Sequence, residues 1–199
     1  MSDQERSRAL IAWVNECGIK PVERRRVLEV GCGTGGNLLQ LISFGFEPQN
    51  LVGNELLEDR LAVARRRLPG AVALHGGDAA ALALPADSFD IVLQSTVFTS
   101  ILDEEFQRTL AAKMWSLVRP GGGILWYDFM FDNPRNPDVR GIPLSAVDKL
   151  FPAPHAWVRR ITLAPPLART VTRVHPALYT LFNLIPWLRT HSLCWIPKS

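Results

Sequence analysis

The feature that most constrains this chain is a short apolar run that enters a glycine-rich turn and then an apolar helix. Residues 27–30 have the length and composition of a buried strand, and residues 31–36 contain four glycines. An apolar helical face follows at residues 38–42, with Asn37 predicted at the helix start. A strand, a glycine turn and a helix N-terminus together place unpaired backbone N–H groups beside a bound cofactor.

The glycine spacing alone is compatible with two kinds of cofactor. Gly31, Gly33 and Gly36 satisfy G-x-G-x-x-G, and Glu55 follows nineteen positions later, as in a dinucleotide site. Glu29, however, lies at the carboxyl end of the strand, two residues before the first glycine. A carboxylate there suits a ligand with an ammonium group and suits a pyrophosphate poorly. A nicotinamide-dependent oxidoreductase therefore stays open as the alternative.

The pattern E-x-G-x-G-x-G of residues 29–35 resembles motif I of class I S-adenosylmethionine-dependent methyltransferases. Residues 84–92 (LPADSFDIV) resemble the small-molecule, type 11-like branch, and residues 117–125 (LVRPGGGIL) match its helix–turn–strand signature. The resemblance covers residues 26–130 well. It implies an α/β, Rossmann-like sheet of seven strands, mostly parallel, with an antiparallel last strand, helices on both faces, and S-adenosyl-L-methionine as cofactor.

Acidic residues at strand ends supply the rest of the predicted cofactor site. Glu55 ends the second strand, where a carboxylate accepts ribose hydroxyls, and Leu56 would pack on adenine. The resemblance implies that Asp78 accepts a hydrogen bond from the adenine amino group and that the N–H of Ala79 meets a ring nitrogen. The predicted site comprises Glu29, Gly31, Gly33, Gly35, Glu55, Leu56, Asp78, Ala79, Gln94 and Ser95.

The catalytic candidates are fewer, because methyl transfer depends mainly on positioning the acceptor in line with the methyl–sulfur bond. A general base helps when the acceptor is a hydroxyl. Many members of the resembled family carry a histidine pair after the fourth strand, where this chain has Thr99 and Ser100. We therefore predict Asp128, at the end of the fifth strand, as the base, with His155 and His175 as the other candidates.

The chain is predicted to form one methyltransferase domain, residues 1–199. It divides into an N-terminal helix and lead-in (1–25), a cofactor-binding core (26–130) and a substrate-side part (131–199). The last part holds ten of the fifteen prolines, and its 9 Lys+Arg against 3 Asp+Glu make it basic. Its segment 165–189 is predicted to cap the substrate; a hairpin on the sheet or an amphipathic patch on a membrane surface are the alternatives.

Composition narrows the class of protein. With 47% hydrophobic and 21% charged residues the chain reads as globular, and no apolar run approaches the roughly 20 residues of a membrane span. No signal peptide is visible, and three scattered cysteines suit neither a disulfide framework nor a metal cluster, so we expect a cytoplasmic protein without a metal. Arg24–Arg26 lack the interleaved aromatics of a nucleic-acid reader, so no nucleic-acid partner is expected.

The function predicted from the sequence is methyl transfer to a small-molecule acceptor, an oxygen of a sugar or secondary metabolite in the first place. The basic, aromatic C-terminal part is compatible with an anionic or amphiphilic acceptor. Besides the oxidoreductase, the alternatives are a non-catalytic relative that only binds the cofactor or a partner, and a nucleic-acid or protein methyltransferase. The absence of an N-P-P-Y-like tetrapeptide after Leu93 argues against methylation of base amino groups.

Overall fold

The computed structural model describes residues 2–132, 136–164, 175, 182 and 185–199, in which helices and strands alternate along the chain. Short 3-10 turns connect several of them. The helices are α1 (Ser2–Glu16), α2 (Gly36–Ser43), α3 (Glu58–Arg67), α4 (Glu104–Leu117) and α5 (Leu144–Leu150). The strands are β1 (Val27–Val30), β2 (Leu51–Glu55), β3 (Ala73–Gly76), β4 (Phe89–Ser95), β5 (Val118–Phe129), β6 (Trp157–Leu163) and β7 (Arg189–Pro197).

The seven strands form one sheet in the order β3-β2-β1-β4-β5-β7-β6. Strands β1 to β5 are parallel, and β7 runs antiparallel to both β5 and β6. This confirms the predicted mostly parallel sheet with an antiparallel last strand. The strand order reverses between β1 and β4, and ligands of open α/β sheets bind outside the carboxyl ends of the strands at such a point.

Helices cover both faces of the sheet, as predicted. One core layer lies under α1, α2 and α3 and includes Trp13, Leu38 and Leu125; the other lies under α4 and α5 and includes Met114 and Trp126. Each residue of β1 and β2 is buried, including the polar residues Glu29, Asn54 and Glu55, as expected for central strands covered by helices on both faces.

Several boundaries differ from the sequence prediction. The expected break at residues 119–123 is part of β5, which begins at Val118 and pairs with Phe89 before a register shift. The last strand, predicted at residues 192–196, begins at Arg189. Most of the predicted cap, 165–189, lies outside the described residues; within it, Pro186–Leu188 forms a 3-10 turn.

Asn37 does not begin α2, contrary to prediction. Gly35 occupies the N-cap position with φ +82°, and Asn37 lies inside the first helical turn. Glycine adopts the left-handed conformation of this cap without steric cost. Since Asn37 is not the capping residue, its side-chain amide is available for another contact.

A buried carboxylate joins the segments at the amino end of the central strands. Asp90, at the start of β4, accepts hydrogen bonds from Nη1 of Arg25 at 3.0 Å and from the backbone N of Arg26 at 2.9 Å. Arg119 forms a second ion pair with it. Arg25, expected at a solvated strand entrance, therefore holds β1 and β4 together.

We predict that Asp90→Ala lowers the free energy of unfolding by about 2–4 kcal/mol, because it leaves a buried N–H and two cations without their acceptor. Urea denaturation measures the change. Arg119→Ala is the matched control; since that side chain is half exposed, its loss should cost below about 1 kcal/mol. Equal effects of the two substitutions would contradict the assignment.

Candidate functional site

The glycine turn after β1 leaves one stretch of backbone open to a ligand. Gly31, Gly33 and Gly35 all have positive φ, between +55° and +82°. A Cβ on Gly31 would lie 2.5 Å from Val97, and a Cβ on Gly35 would lie 2.7 Å from Leu68, so the fold itself requires these two glycines. A Cβ on Gly33 would meet nothing within 4 Å. The backbone at Gly33 can thus be approached closely from outside the protein.

Glu29 of β1 lies beneath this turn and is fully buried. Its Oε1 accepts a hydrogen bond from Nδ2 of Asn37 at 2.5 Å, whereas Oε2 has no hydrogen-bond partner in the described part of the chain. Burial raises the pKa of this carboxyl group to about 7, although Asn37 and the nearby Arg6 oppose the shift. A buried oxygen without a donor is costly, and a cationic ligand group would satisfy it.

Arg6 of α1 brings a positive charge to the same place. One of its terminal nitrogens donates to Oε1 of Gln40 at 3.3 Å, and its guanidinium lies 5.7 Å from the ring centre of Tyr127. Its Nε is buried and, among the described residues, has no hydrogen-bond partner. The sequence predicts an N-terminal helix over either the sheet edge or the cofactor mouth, but Arg6 is not among the predicted site residues. The available signal was a charge on the apolar face, since Arg6 lies four residues before Leu10.

Helices α1 and α2 enclose a small pocket against the sheet. The pocket has a volume of about 20 Å³ and combines apolar walls with several polar groups. Its lining comprises Arg6, Leu10, Asn37, Gln40, Leu41, Leu93, Ser95, Tyr127 and Leu193. Of the predicted cofactor residues, Ser95 lines this pocket, and Glu29 reaches it through Asn37.

Glu55 ties the glycine turn to the end of β2. It is 5% exposed, and its two oxygens accept hydrogen bonds from the backbone N of Gly33 at 2.8 Å and of Leu57 at 3.0 Å. Each oxygen keeps a second lone pair that a ligand hydroxyl can use. Leu56 beside it is 66% exposed, which offers an apolar surface to a flat ring.

The other predicted cofactor residues differ in how they face the carboxyl edge. Asp78 is exposed at the end of β3 and caps the turn Ala79–Ala81 by accepting from the N of Ala80 at 2.8 Å. Gln94 is fully buried; its Oε1 accepts from the N of Val97 at 3.1 Å and its Nε2 donates to the carbonyl of Tyr127 at 3.4 Å. The Gln94 side chain therefore braces the turn after β4 and does not line the pocket.

Asp128 reaches the carboxyl end of β5, but its side chain is fully buried on the α4 face of the sheet. Its oxygens accept from Oγ1 of Thr99 at 2.7 Å, the N of Thr99 at 3.3 Å and the N of Phe129 at 3.0 Å. Burial raises its pKa to about 6 against these hydrogen bonds. Successive side chains of a strand point to opposite faces, and the neighbouring Tyr127 lines the pocket. The structure does not bring Asp128 to the pocket.

The two histidine candidates are not assembled with the pocket either. His155 precedes β6, which runs parallel to β5, so it lies toward the amino edge of the sheet, and its Nδ1 lies 2.6 Å from Oδ1 of Asp148. The prediction of His155 at the catalytic site is thereby corrected. His175 is exposed, and the residues on either side of it lie outside the described part of the chain.

The structure instead brings His191, which the sequence analysis missed, next to the pocket. His191 lies on β7 opposite Phe129, and its ring stacks on Tyr127 with centroids 5.2 Å apart and planes at 18°. Burial lowers its pKa to about 4, so the ring is neutral near pH 7. The predicted last strand began at Ser192, and this boundary error removed His191 from consideration.

The described residues contain no cluster of three or more His, Cys, Asp or Glu side chains placed to hold a metal ion. Within the same residues, none of the helices has the length and apolar character needed to cross a membrane. Cys17, Cys32 and Cys194 are free thiols, and burial raises the pKa of Cys32 to about 12.

We predict that Glu29→Gln changes how stability depends on pH. A carboxyl group with a folded pKa near 7 and an ordinary unfolded value makes the parent protein lose stability as pH rises from about 4.5 to 7, by about 3 kcal/mol. Glu29→Gln has no titrating group at this position, so this loss of stability does not occur in the variant. Urea denaturation at pH 5 and pH 8 gives the free energy of unfolding of each protein. The difference between Glu29→Gln and the parent should be larger at pH 8 by about that amount, whereas the difference for the exposed control Glu58→Gln should be the same at both pH values. Parallel curves for Glu29→Gln would refute the prediction.

Comparison with known proteins gives a consistent result. Residues 27–122 match the family model described as a methyltransferase domain. The chain is 33% identical over 106 residues to a ubiquinone biosynthesis O-methyltransferase of Sinorhizobium medicae, covering 52% of this chain and 40% of that protein. It is 38% identical over 109 residues to a fatty-acid O-methyltransferase of Mycolicibacterium smegmatis, covering 54% of this chain and 38% of that protein. The chain thus spans about two fifths of the length of these relatives.

Solved structures agree with the sequence matches. The S-adenosylmethionine-bound amino pentose methyltransferase of calicheamicin biosynthesis from Micromonospora echinaspora is 32% identical, with 60% of this chain and 48% of that chain covered and a TM-score of 0.50. An S-adenosylmethionine-dependent methyltransferase from Mesorhizobium loti shares the fold at 17% identity. The match covers 94% of this chain and 97% of that chain, with a TM-score of 0.66. The strand order, the glycine turn and the match of residues 27–122 to the methyltransferase-domain model together assign this part of the chain to the class I S-adenosylmethionine-dependent methyltransferases.

Proposed function

We propose that this chain transfers the methyl group of S-adenosylmethionine to an oxygen of a small molecule, with a hydroxyl of a sugar or secondary metabolite as the first candidate. Two O-methyltransferases among the relatives support an oxygen acceptor, and the similarity to an amino pentose methyltransferase supports a sugar-like one. The basic surplus of residues 131–199 favours an acceptor with anionic or amphiphilic character.

The observation that carries the proposal is a buried carboxyl oxygen and a buried guanidinium nitrogen, both near one pocket. Oε2 of Glu29 and Nε of Arg6 both have no hydrogen-bond partner in the described part of the chain. The amino-acid end of S-adenosylmethionine carries an ammonium and a carboxylate, which complement these two groups. Arg6 would therefore bind the carboxylate and Glu29 the ammonium.

The remaining residues suit the rest of the cofactor. The open backbone at Gly33 admits close contact, Glu55 keeps acceptor capacity for ribose hydroxyls, and Leu56 offers an apolar face to adenine. Asp78 and Ala79 would meet the adenine edge at the end of β3. Bound in this way, the cofactor supplies a methyl carbon made electrophilic by its positively charged sulfur.

Helix α1 would act as the wall of the site that moves. The pocket volume of about 20 Å³ holds little more than one water molecule, so an amino-acid group requires an outward shift of α1. This helix contacts the edge strand β6 through Glu16, which accepts hydrogen bonds from Nε1 of Trp157 at 2.7 Å and from Arg159 at 2.5 Å. Exposed contacts of this kind are weak, whereas Trp13 of α1 is buried in the core, so the shift would be confined to the first turns of the helix, which carry Arg6.

The oxidoreductase alternative loses its support. Its motif was the glycine spacing with Glu55, which methyltransferases share, and the family match covers the turn together with residues as far as 122. A pyrophosphate at the turn would also approach the buried carboxyl group of Glu29.

We predict that Arg6→Met weakens binding of S-adenosylhomocysteine about 10- to 100-fold, because it removes a charged hydrogen-bond donor. Binding of 5′-methylthioadenosine, which lacks the amino-acid end, should change less than about threefold. Isothermal titration calorimetry measures both ligands. Arg65→Met, on the exposed face of α3, is the matched control and should change neither affinity. Equal losses for the two ligands would contradict the assigned role of Arg6.

Methyl transfer itself is tested by product formation. We expect methylated product, detected by mass spectrometry, from at least one member of a panel containing a catechol, an amino sugar and a fatty acid. The last two are the acceptor classes of a curated relative and of a similar solved structure. Tight binding of S-adenosylhomocysteine without product from any acceptor would favour the non-catalytic alternative.

A further inference from the structure

We propose that His191 is the general base of this protein, accepting through Nε2 the proton of the acceptor hydroxyl during methyl transfer. The inference rests on the proposed function and assigns a role to a residue outside the family's glycine turn and strand-end carboxylates. Three observations carry it: the contact between Nδ1 of the ring and Thr190, the position of the ring beside the pocket, and the chemistry of the half-buried imidazole.

The orientation of the ring is fixed by two threonines. Oγ1 of Thr190 lies 3.4 Å from the carbonyl oxygen of Thr162, to which it donates, and 3.0 Å from Nδ1 of His191. With the hydroxyl proton of Thr190 on that carbonyl, its oxygen can accept from Nδ1–H of the imidazole, and we assign this tautomer, which has its lone pair on Nε2. Within the described part of the chain, Nε2 makes no hydrogen bond. A base held by a second polar group is the usual arrangement for proton abstraction.

The supporting threonine is itself held in a strained conformation. Thr162 has φ +66°, which is unusual for a β-branched residue. Its backbone N donates to Oε2 of Glu5 at 3.1 Å, and its hydroxyl lies 3.0 Å from the hydroxyl of Tyr127. Strain that surrounding contacts maintain is typical of functional sites. Here it places the carbonyl of Thr162 where Thr190 can bind it.

The position of His191 connects the pocket with the substrate side. Its ring stacks on Tyr127, which lines the pocket beside Arg6 and Ser95, and meets the edge of Phe129 with centroids 5.9 Å apart. It lies near the start of β7, at the carboxyl edge of the sheet. An acceptor bound at this edge would therefore lie on the same side of the sheet as the imidazole and the pocket.

The protonation state is suited to the step. The charged and titratable groups around the ring are Glu5 and Arg6 of α1, Tyr127 of β5 and Arg189 of β7; facing it from β6 is the apolar Ile161. Burial lowers the pKa of His191 to about 4, so the ring is neutral and able to accept a proton at pH 7. A hydroxyl becomes strongly acidic as its oxygen gains a methyl group, so a weak base suffices.

The step balances without another reactant. The acceptor oxygen forms a bond to the methyl carbon, the carbon–sulfur bond breaks with its electron pair on sulfur, and the hydroxyl proton passes to Nε2. An imidazolium remains and returns the proton to solvent. Asp128 and His155 are less suited, since one lies on the opposite face and the other toward the amino edge.

The first test compares acceptors that need a base with acceptors that do not. A catechol or sugar hydroxyl must lose a proton, whereas a fatty-acid carboxylate is already ionised. We expect His191→Phe, which keeps a flat ring against Tyr127, to lower the ratio of hydroxyl to carboxylate methylation by about 10²- to 10⁴-fold. His191→Gln should do the same, and His155→Gln should leave the ratio unchanged. Affinity for S-adenosylhomocysteine reports that each variant is folded.

A ratio within threefold of the parent value in both His191 variants would overturn the proposal, because the ring would then only pack. Methylation of the carboxylate alone would overturn the proposal, because no hydroxyl proton is then removed. If the parent protein methylates none of the acceptors, the proposed function fails, and NMR decides the role of His191. In the S-adenosylhomocysteine complex, ¹⁵N shifts should show Nδ1 protonated and Nε2 free, with the ring neutral down to about pH 4. Thr190→Val should mix the tautomers, and Thr190→Ser should restore them. A proton on Nε2 in the parent protein would overturn the assignment.

Discussion

The carboxyl group of Glu29 lies inside the protein, and among the described residues only one of its oxygens accepts a hydrogen bond. Such a group costs stability in the absence of a ligand, and the raised pKa expresses that cost. The surrounding structure nevertheless keeps it there, on the central strand and on the face that α1 covers. We interpret the cost as the means by which the protein selects a ligand with an ammonium group.

The arrangement around Glu29 follows from how strands and turns meet at the sheet's carboxyl edge. Glu55 accepts a hydrogen bond from the backbone of Gly33, so the end of β2 fixes the turn that follows β1. The turn sets the start of α2, whose Asn37 holds Glu29. Each of these contacts constrains the next, and we propose that together they hold the amino-acid and nucleoside parts of the cofactor.

Much of this core was predictable from the sequence, because buried parallel strands appear as apolar runs and a glycine turn has a narrow range of conformations. The residues that sequence analysis missed depend on tertiary placement. Arg6 reaches the pocket only because α1 folds back over the sheet, and His191 because β7 inserts between β5 and β6. His155 was mistaken since spacing along a chain does not reveal at which end of a strand a side chain lies.

The charge state of Glu29 gives the most direct test of this account. Calorimetry of S-adenosylhomocysteine binding at pH 7, repeated in buffers with different ionisation enthalpies, counts the protons exchanged. A carboxyl group with a pKa of about 7 that ionises to hold an ammonium should release about half a proton per site. Glu29→Gln should release none. No release from the parent protein, or the same release from both proteins, would contradict the central claim.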